Sequence, residues 1–165
     1  MSGELRGVVP PDRHRSVVTG AARGLGEAVA ARLAADGASV ALIDISQDVI
    51  ATAERIASWS DDGADAARVV GIVADVADEL ACEAAIEQAS AALGGIDALV
   101  NNAGIGGPDS EVVNTSFADF WRVLQVNLGS AFLGSRAAAR VMIGQRAGGA
   151  IVNIGSIFGQ QGVAG

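Results

Sequence analysis

Thr19-Gly20-Ala21-Ala22-Arg23-Gly24-Leu25-Gly26 joins a short apolar run to an alanine-rich helical stretch, and this junction decides the fold. Glycines there let the backbone turn tightly and approach a diphosphate. The N-terminus of the following helix then offers free N–H groups and the positive end of its dipole. Such glycines on their own also fit an ordinary strand-to-helix turn. Their place between a strand and a helix is what a dinucleotide-binding fold requires. The loop has no Gly-Lys-Ser/Thr, which counts against a P-loop nucleotidase.

On both sides of the loop, short apolar runs alternate with helical stretches, the pattern of βαβ units. Strands are expected over residues 16–19, 39–44, 68–73, 96–101 and 150–154. Helices are expected over residues 24–36, stopped by Gly37, then 47–60, 79–93 and 117 to about 145. Asp61, Asp62 and Gly63 read as a turn, and Gly148-Gly149 breaks the last helix. The strands are apolar on both faces, as in a sheet covered on both sides. Right-handed crossovers then give an α/β, Rossmann-like, doubly wound parallel sheet. The expected domains are a flexible tail over residues 1–15 and one NAD-binding domain over residues 16–165.

Composition narrows the function. Half of the 165 residues are apolar, enough for a real core. No apolar run is long enough to span a bilayer, and the polar N-terminal stretch is not a secretory signal, so the cytoplasm is the expected location. The net charge is −8 and all 11 basic residues are scattered arginines, which argues against nucleic-acid binding. Cys82 is the only cysteine and His14 the only histidine, so neither an internal disulfide nor a metal cluster is expected. The chain contains no Tyr and no Lys.

Asp44 ends the second strand, 18 positions after Gly26. A carboxylate there can hydrogen-bond both ribose hydroxyls of NAD and repel a 2′-phosphate. Ile45 follows it, where an NADP enzyme often carries a basic residue. Arg23 pulls the other way, but Asp44 reaches the hydroxyls directly. NAD is therefore expected over NADP. The plainer alternative is that Asp44 is a solvated turn residue.

The Gly-x-x-x-Gly-x-Gly spacing after Thr19 resembles the fingerprint of the short-chain dehydrogenase/reductases. Asn101-Asn102-Ala103-Gly104 looks like that family's Asn-Asn-Ala-Gly motif, and Asp75-Val76 like its adenine-contacting pair. Asn127 is similar to its helical Asn and Ser156 to its catalytic Ser. The resemblance runs from about residue 16 to the last residue. It implies hydride transfer between a nicotinamide and a secondary alcohol or ketone, in a homodimer or homotetramer. It also implies that Thr19, Gly20, Arg23, Gly24, Leu25, Gly26, Asp44, Ile45, Asp75, Val76, Asn102, Ala103 and Gly104 bind the cofactor. In the family the Ser bonds the substrate oxygen, and the Asn holds a water that leads to a Lys. Asp75 and Asp78 also precede a helical stretch, where either could serve as its cap.

The family's proton donor is a Tyr with a Lys four residues later, shortly past the Ser, and this chain has neither. The resemblance thus implies a Rossmann-like portion that stops after the fifth strand and is inactive alone. The alternative is a nucleotide-binding module without turnover. A methyltransferase also has a glycine-rich first turn, but Asn101 to Gly104 together with Ser156 argues against it. Without the family's later strands, residues 150–154 read as an unprotected sheet edge. The long helix would bare a stripe including Val123, Val126 and Leu133. The substrate is not legible: residues 106–115 would line one wall without pointing to any particular compound.

Overall fold

The computed structural model describes residues 14–59 and 68–156. The expected turn at Asp61, Asp62 and Gly63 and most of the expected tail lie outside them. The elements are β1 (Arg15–Thr19), α1 (Gly24–Ala35), β2 (Ser39–Asp44), α2 (Asp48–Ala57), β3 (Val69–Val73), α3 (Glu79–Leu93) and β4 (Ala98–Asn101). A 3₁₀ turn (Val112–Asn114), α4 (Phe117–Leu124), a π-helical turn (Gln125–Gly129), α5 (Ser130–Gln145) and β5 (Ala150–Asn153) follow. All strands are parallel, in the order β3-β2-β1-β4-β5. This is the expected doubly wound sheet.

Successive strand residues point to opposite faces, and both faces are covered. Val17, Ala41, Ile43, Ile72 and Leu99 pack with Cys82, Ile86, Ala138 and Met142 of α3 and α5. Val18, Val40, Leu42 and Val100 pack with Ala30 and Ala34 of α1 and Ala53 and Ile56 of α2. Leu42, Ile43 and Leu99 are fully buried, each worth about 1.5–3 kcal/mol relative to exposure. The small alanines let the helices lie close to the sheet. α1 ends in a Schellman arrangement, Gly37 donating its N–H to Ala34 O and Ala38 donating its own to Leu33 O, at 2.9 and 3.0 Å.

Several boundaries differ for identifiable reasons. Arg15, assigned to the tail from sequence, is the first residue of β1. Its guanidinium binds Asp97 through Nε at 2.8 Å and Nη2 at 2.6 Å, and its backbone N–H donates to the same carboxylate at 3.0 Å. β4 begins at Ala98 rather than Ile96, because the Gln145 side chain takes both the N–H and the C=O of Ile96, at 2.7 and 2.8 Å. The helix expected over residues 117 to about 145 is continuous but carries the π turn. Val126 is buried and Leu133 packs against the core, so neither belongs to a bare stripe. The exposed apolar side is made instead by Phe117, Phe120, Trp121, Leu128 and Phe132.

Candidate functional site

The parallel strands all end at one edge of the sheet. Because β2 and β4 lie on opposite sides of β1, the loops after β1 and β4 diverge there and open a crevice. A cleft of about 320 Å³ occupies this place. Of the residues expected to bind a cofactor, Gly20, Arg23, Asp44, Ile45, Asp75, Val76, Asn102, Ala103 and Gly104 line it. Thr19 is buried beneath it. Gly24 and Leu25 open α1 beside it, and Gly26 is buried against the loop.

The three loop glycines have three different reasons. Gly20 adopts φ +64°, and a Cβ there would lie 2.8 Å from Ala103 Cα. Gly24 also has φ +64°, but a Cβ there would meet nothing within 4 Å, so the space over the helix N-terminus is open. At Gly26 a Cβ would lie 2.3 Å from Gly20 O and 2.5 Å from Asn102 Nδ2, so α1 can pack there only without a side chain. Arg23 sits at the N-cap in extended conformation and supplies no side-chain cap. The first N–H groups of α1 are left uncapped by that side chain.

Asn102 ties this loop to the end of β4. Its Nδ2 donates to Thr19 O at 2.9 Å and Gly20 O at 3.0 Å, while Thr19 Oγ1 accepts the N–H groups of Asn102 and Ala103, both at 3.1 Å. Asn101 faces away and donates to Asn153 Oδ1 at 2.8 Å and Ser135 Oγ at 3.0 Å, linking β4 to β5 and α5. Asp44 is held by two backbone donors: Ala22 N–H reaches Oδ2 at 3.0 Å and Ser46 N–H reaches Oδ1 at 2.9 Å. A carboxylate has about four acceptor positions, so each oxygen keeps capacity toward the cleft. Asp75 Oδ1 accepts Ala77 N–H at 2.9 Å. The cap of α3 is Asp78, which accepts Ala81 N–H at 2.8 Å.

Residues 15–165 match the profile of a family described as short chain dehydrogenase. The chain belongs to the short chain dehydrogenase family. It is 35% identical over 148 residues to levodione reductase of Leifsonia aquatica, covering 89% of this chain and 54% of the relative. A solved levodione reductase structure superposes with TM-score 0.82 at 36% identity, over 93% of this chain and 57% of that one. The 2-dehydro-3-deoxy-L-rhamnonate dehydrogenase (NAD(+)) of a Sphingomonas species is 37% identical over 147 residues, covering 89% of this chain and 55% of the relative. A short chain dehydrogenase of Burkholderia cenocepacia, solved in complex with NADP, gives TM-score 0.81 at 34% identity, covering 94% of this chain and 60% of that one. The chain therefore spans about half the length of the curated relatives it matches.

Within this short chain dehydrogenase chain, Asn127 lies in the π turn, and such turns are frequent at functional sites. Its Oδ1 accepts Ile105 N–H at 2.8 Å and its Nδ2 donates to Ile105 O at 3.0 Å. It thereby clamps the loop that leaves Gly104. Ser156 lies three residues past β5 and is exposed. Neither Asn127 nor Ser156 is among the cleft-lining residues. Four lining residues were not read as site residues from the sequence: Ala74, Ile105, Arg122 and Val126, the last expected instead on a bare stripe. Arg122 Nη2 lies 3.9 Å from Asp75 Oδ2. Its basic character in an acidic chain was the one available signal. Among the described residues there is no group of three or more metal-ligating side chains, and no helix is long and apolar enough to cross a membrane.

Proposed function

We propose that this chain is the cofactor-binding portion of an NAD-dependent oxidoreductase acting on a secondary alcohol or ketone. The observation that carries this reading is Asp44 at the end of β2, its carboxylate fixed by Ala22 and Ser46 and bordering the cleft. Two further features support it. The open space over Gly24 leaves room for a diphosphate at the helix N-terminus, and the cleft volume falls within the usual ligand-pocket range of about 300–1,000 Å³.

When bound, the nicotinamide supplies the hydride donor or acceptor. The chain's own residues do the rest. Asp44 accepts the ribose hydroxyls and Asp75 accepts an amino hydrogen of the base, with Val76 beside it. Thr19 and Asn102 hold the glycine loop in shape. Ser156 donates to the substrate oxygen. The role that the geometry supports for Asn127 is the clamp on Ile105. Cytoplasmic location and self-association into a dimer or tetramer belong to the same proposal.

Calorimetric titration tests the cofactor choice. NADH should bind more tightly than NADPH, because a 2′-phosphate would face Asp44. Asp44→Ala should narrow the difference, with thermal melts confirming that the loop still folds. Tighter NADPH binding would mean that Arg23 outweighs Asp44. A second reading is a nucleotide-binding module without turnover, and sustained turnover with NADH by the purified protein would exclude it.

A further inference from the structure

We propose that Arg122 is a positioning residue for Asp75 at the base end of the cleft, keeping Asp75 Oδ2 aimed at a ring that carries an amino donor. The inference rests on the dinucleotide reading above. Asp75 belongs to the loop between β3 and α3, and its Oδ1 is taken by Ala77 N–H at 2.9 Å. Oδ2 accepts no hydrogen bond among the described residues, so it keeps both of its acceptor positions for a ligand. Arg122 comes from α4, a separate wall of the cleft, and both side chains line the same space. One helical turn later Gln125 Nε2 donates to Ala77 O at 3.4 Å, so the same helix grips the same loop at a second point.

The separation of 3.9 Å between Arg122 Nη2 and Asp75 Oδ2 is what makes this arrangement useful. It is too long for a hydrogen bond yet close enough for charge attraction. The guanidinium draws the carboxylate toward the cleft without filling its lone pairs. An incoming amino group can therefore bond Oδ2 without first displacing a bonded arginine. A ring with a carbonyl at that position would present lone pairs to the carboxylate instead and gain nothing from the alignment.

The test is calorimetric binding of NADH and of reduced nicotinamide hypoxanthine dinucleotide, which replaces the amino group by a carbonyl. The proteins are the wild-type chain, Arg122→Gln, Arg122→Lys, Asp75→Asn and the double variant Arg122→Gln/Asp75→Asn, each checked by circular dichroism. Arg122→Gln should weaken NADH about two- to fivefold, the scale of an exposed ion pair. Arg122→Lys should restore most of that loss, and the hypoxanthine dinucleotide should be unaffected. The loss should vanish in the Asp75→Asn background, and salt should erode the wild-type advantage. Unchanged NADH affinity in Arg122→Gln, an equal loss for both dinucleotides, or a loss that persists with Asp75→Asn would overturn the proposal while leaving the dinucleotide reading in place. Failure of the wild-type chain to bind NADH would overturn the dinucleotide reading and this proposal with it.

Discussion

Gly26 shows how one missing side chain sets the geometry of a site. A Cβ there would press on Gly20 O, a backbone atom that cannot rotate away. Gly26→Ala should therefore push α1 off the loop and cost about 1–3 kcal/mol, the range for overpacking. Gly24→Ala meets open space and should cost only the left-handed backbone penalty of about 1–2 kcal/mol. Urea unfolding of both variants distinguishes these causes: Gly26→Ala should also weaken NADH through the displaced loop. A Gly26→Ala chain of wild-type stability would contradict the packing argument. Cys82 offers a different single-residue test. It is buried in α3, and burial, helped by the charge of Glu83, pushes its thiol up to about 11. Because the thiolate is the reactive form, labelling at pH 8 should be at least about a hundredfold slower than in the unfolded chain. Fast labelling under native conditions would show that α3 opens readily. At this scale the position of Asp44 at the cleft was legible, because it follows from a strand end and a glycine spacing. Arg122 was not, because its nearness to Asp75 depends on two distant segments meeting.

Elements are held at their ends by side chains, and the strongest such tie is testable by pH. Arg15 at the start of β1 bonds both carboxylate oxygens of Asp97 just before β4, and its Nη1 also donates to Gly94 O at 2.5 Å. These hydrogen bonds hold the Asp97 carboxyl below the ordinary range, against the opposing effect of burial. A depressed folded value means the stabilisation is complete above the unfolded carboxylate value of about 3.9 and is lost as pH falls through the folded value. Asp97→Asn should thus be less stable than wild type at pH 7, with the gap closing below about pH 4. A urea series across pH measures it, and a gap that stays constant down to pH 2 would rule out the ion pair as its source. Strand and helix types were readable because apolar runs and helical periodicity are local. The π turn was not, since five residues of altered hydrogen bonding inside a long helix leave the apolar pattern almost intact. The start of β4 was hidden for another reason: Ile96 is apolar like a strand residue, but Gln145, 49 positions away, occupies its backbone.

The whole molecule combines an intact cleft with exposed apolar surface, and both have consequences. The 165-residue chain should show no dehydrogenase turnover on a panel of secondary alcohols and ketones followed by reduced-nicotinamide absorbance. It has no Tyr–Lys pair, and a positioned general acid or base is worth about 10²–10⁴-fold. Sustained turnover by pure protein would require another proton donor, with Ser156 the first suspect. Association is the second consequence. Among the described residues β5 pairs only with β4 and forms one edge of the sheet. Its residues are largely exposed, Val152 at 49%, and the segment has no charge and no proline. Edge strands are normally protected by such features, so the N–H and C=O groups of β5 that find no strand partner among the described residues can pair with another chain. Val152→Lys adds a charge at an exposed position and should reduce concentration-dependent light scattering with little effect on the urea transition. The competing surface is the aromatic side of α4, where Phe117 lies 6.1 Å from Phe120 and 6.2 Å from Trp121 between ring centres. Trp121→Glu addresses that surface without touching the sheet. If Trp121→Glu abolishes association and Val152→Lys leaves it unchanged, the contact lies on the helix face and the edge-strand argument fails. A chain that stays monomeric at every concentration would overturn the edge-strand argument.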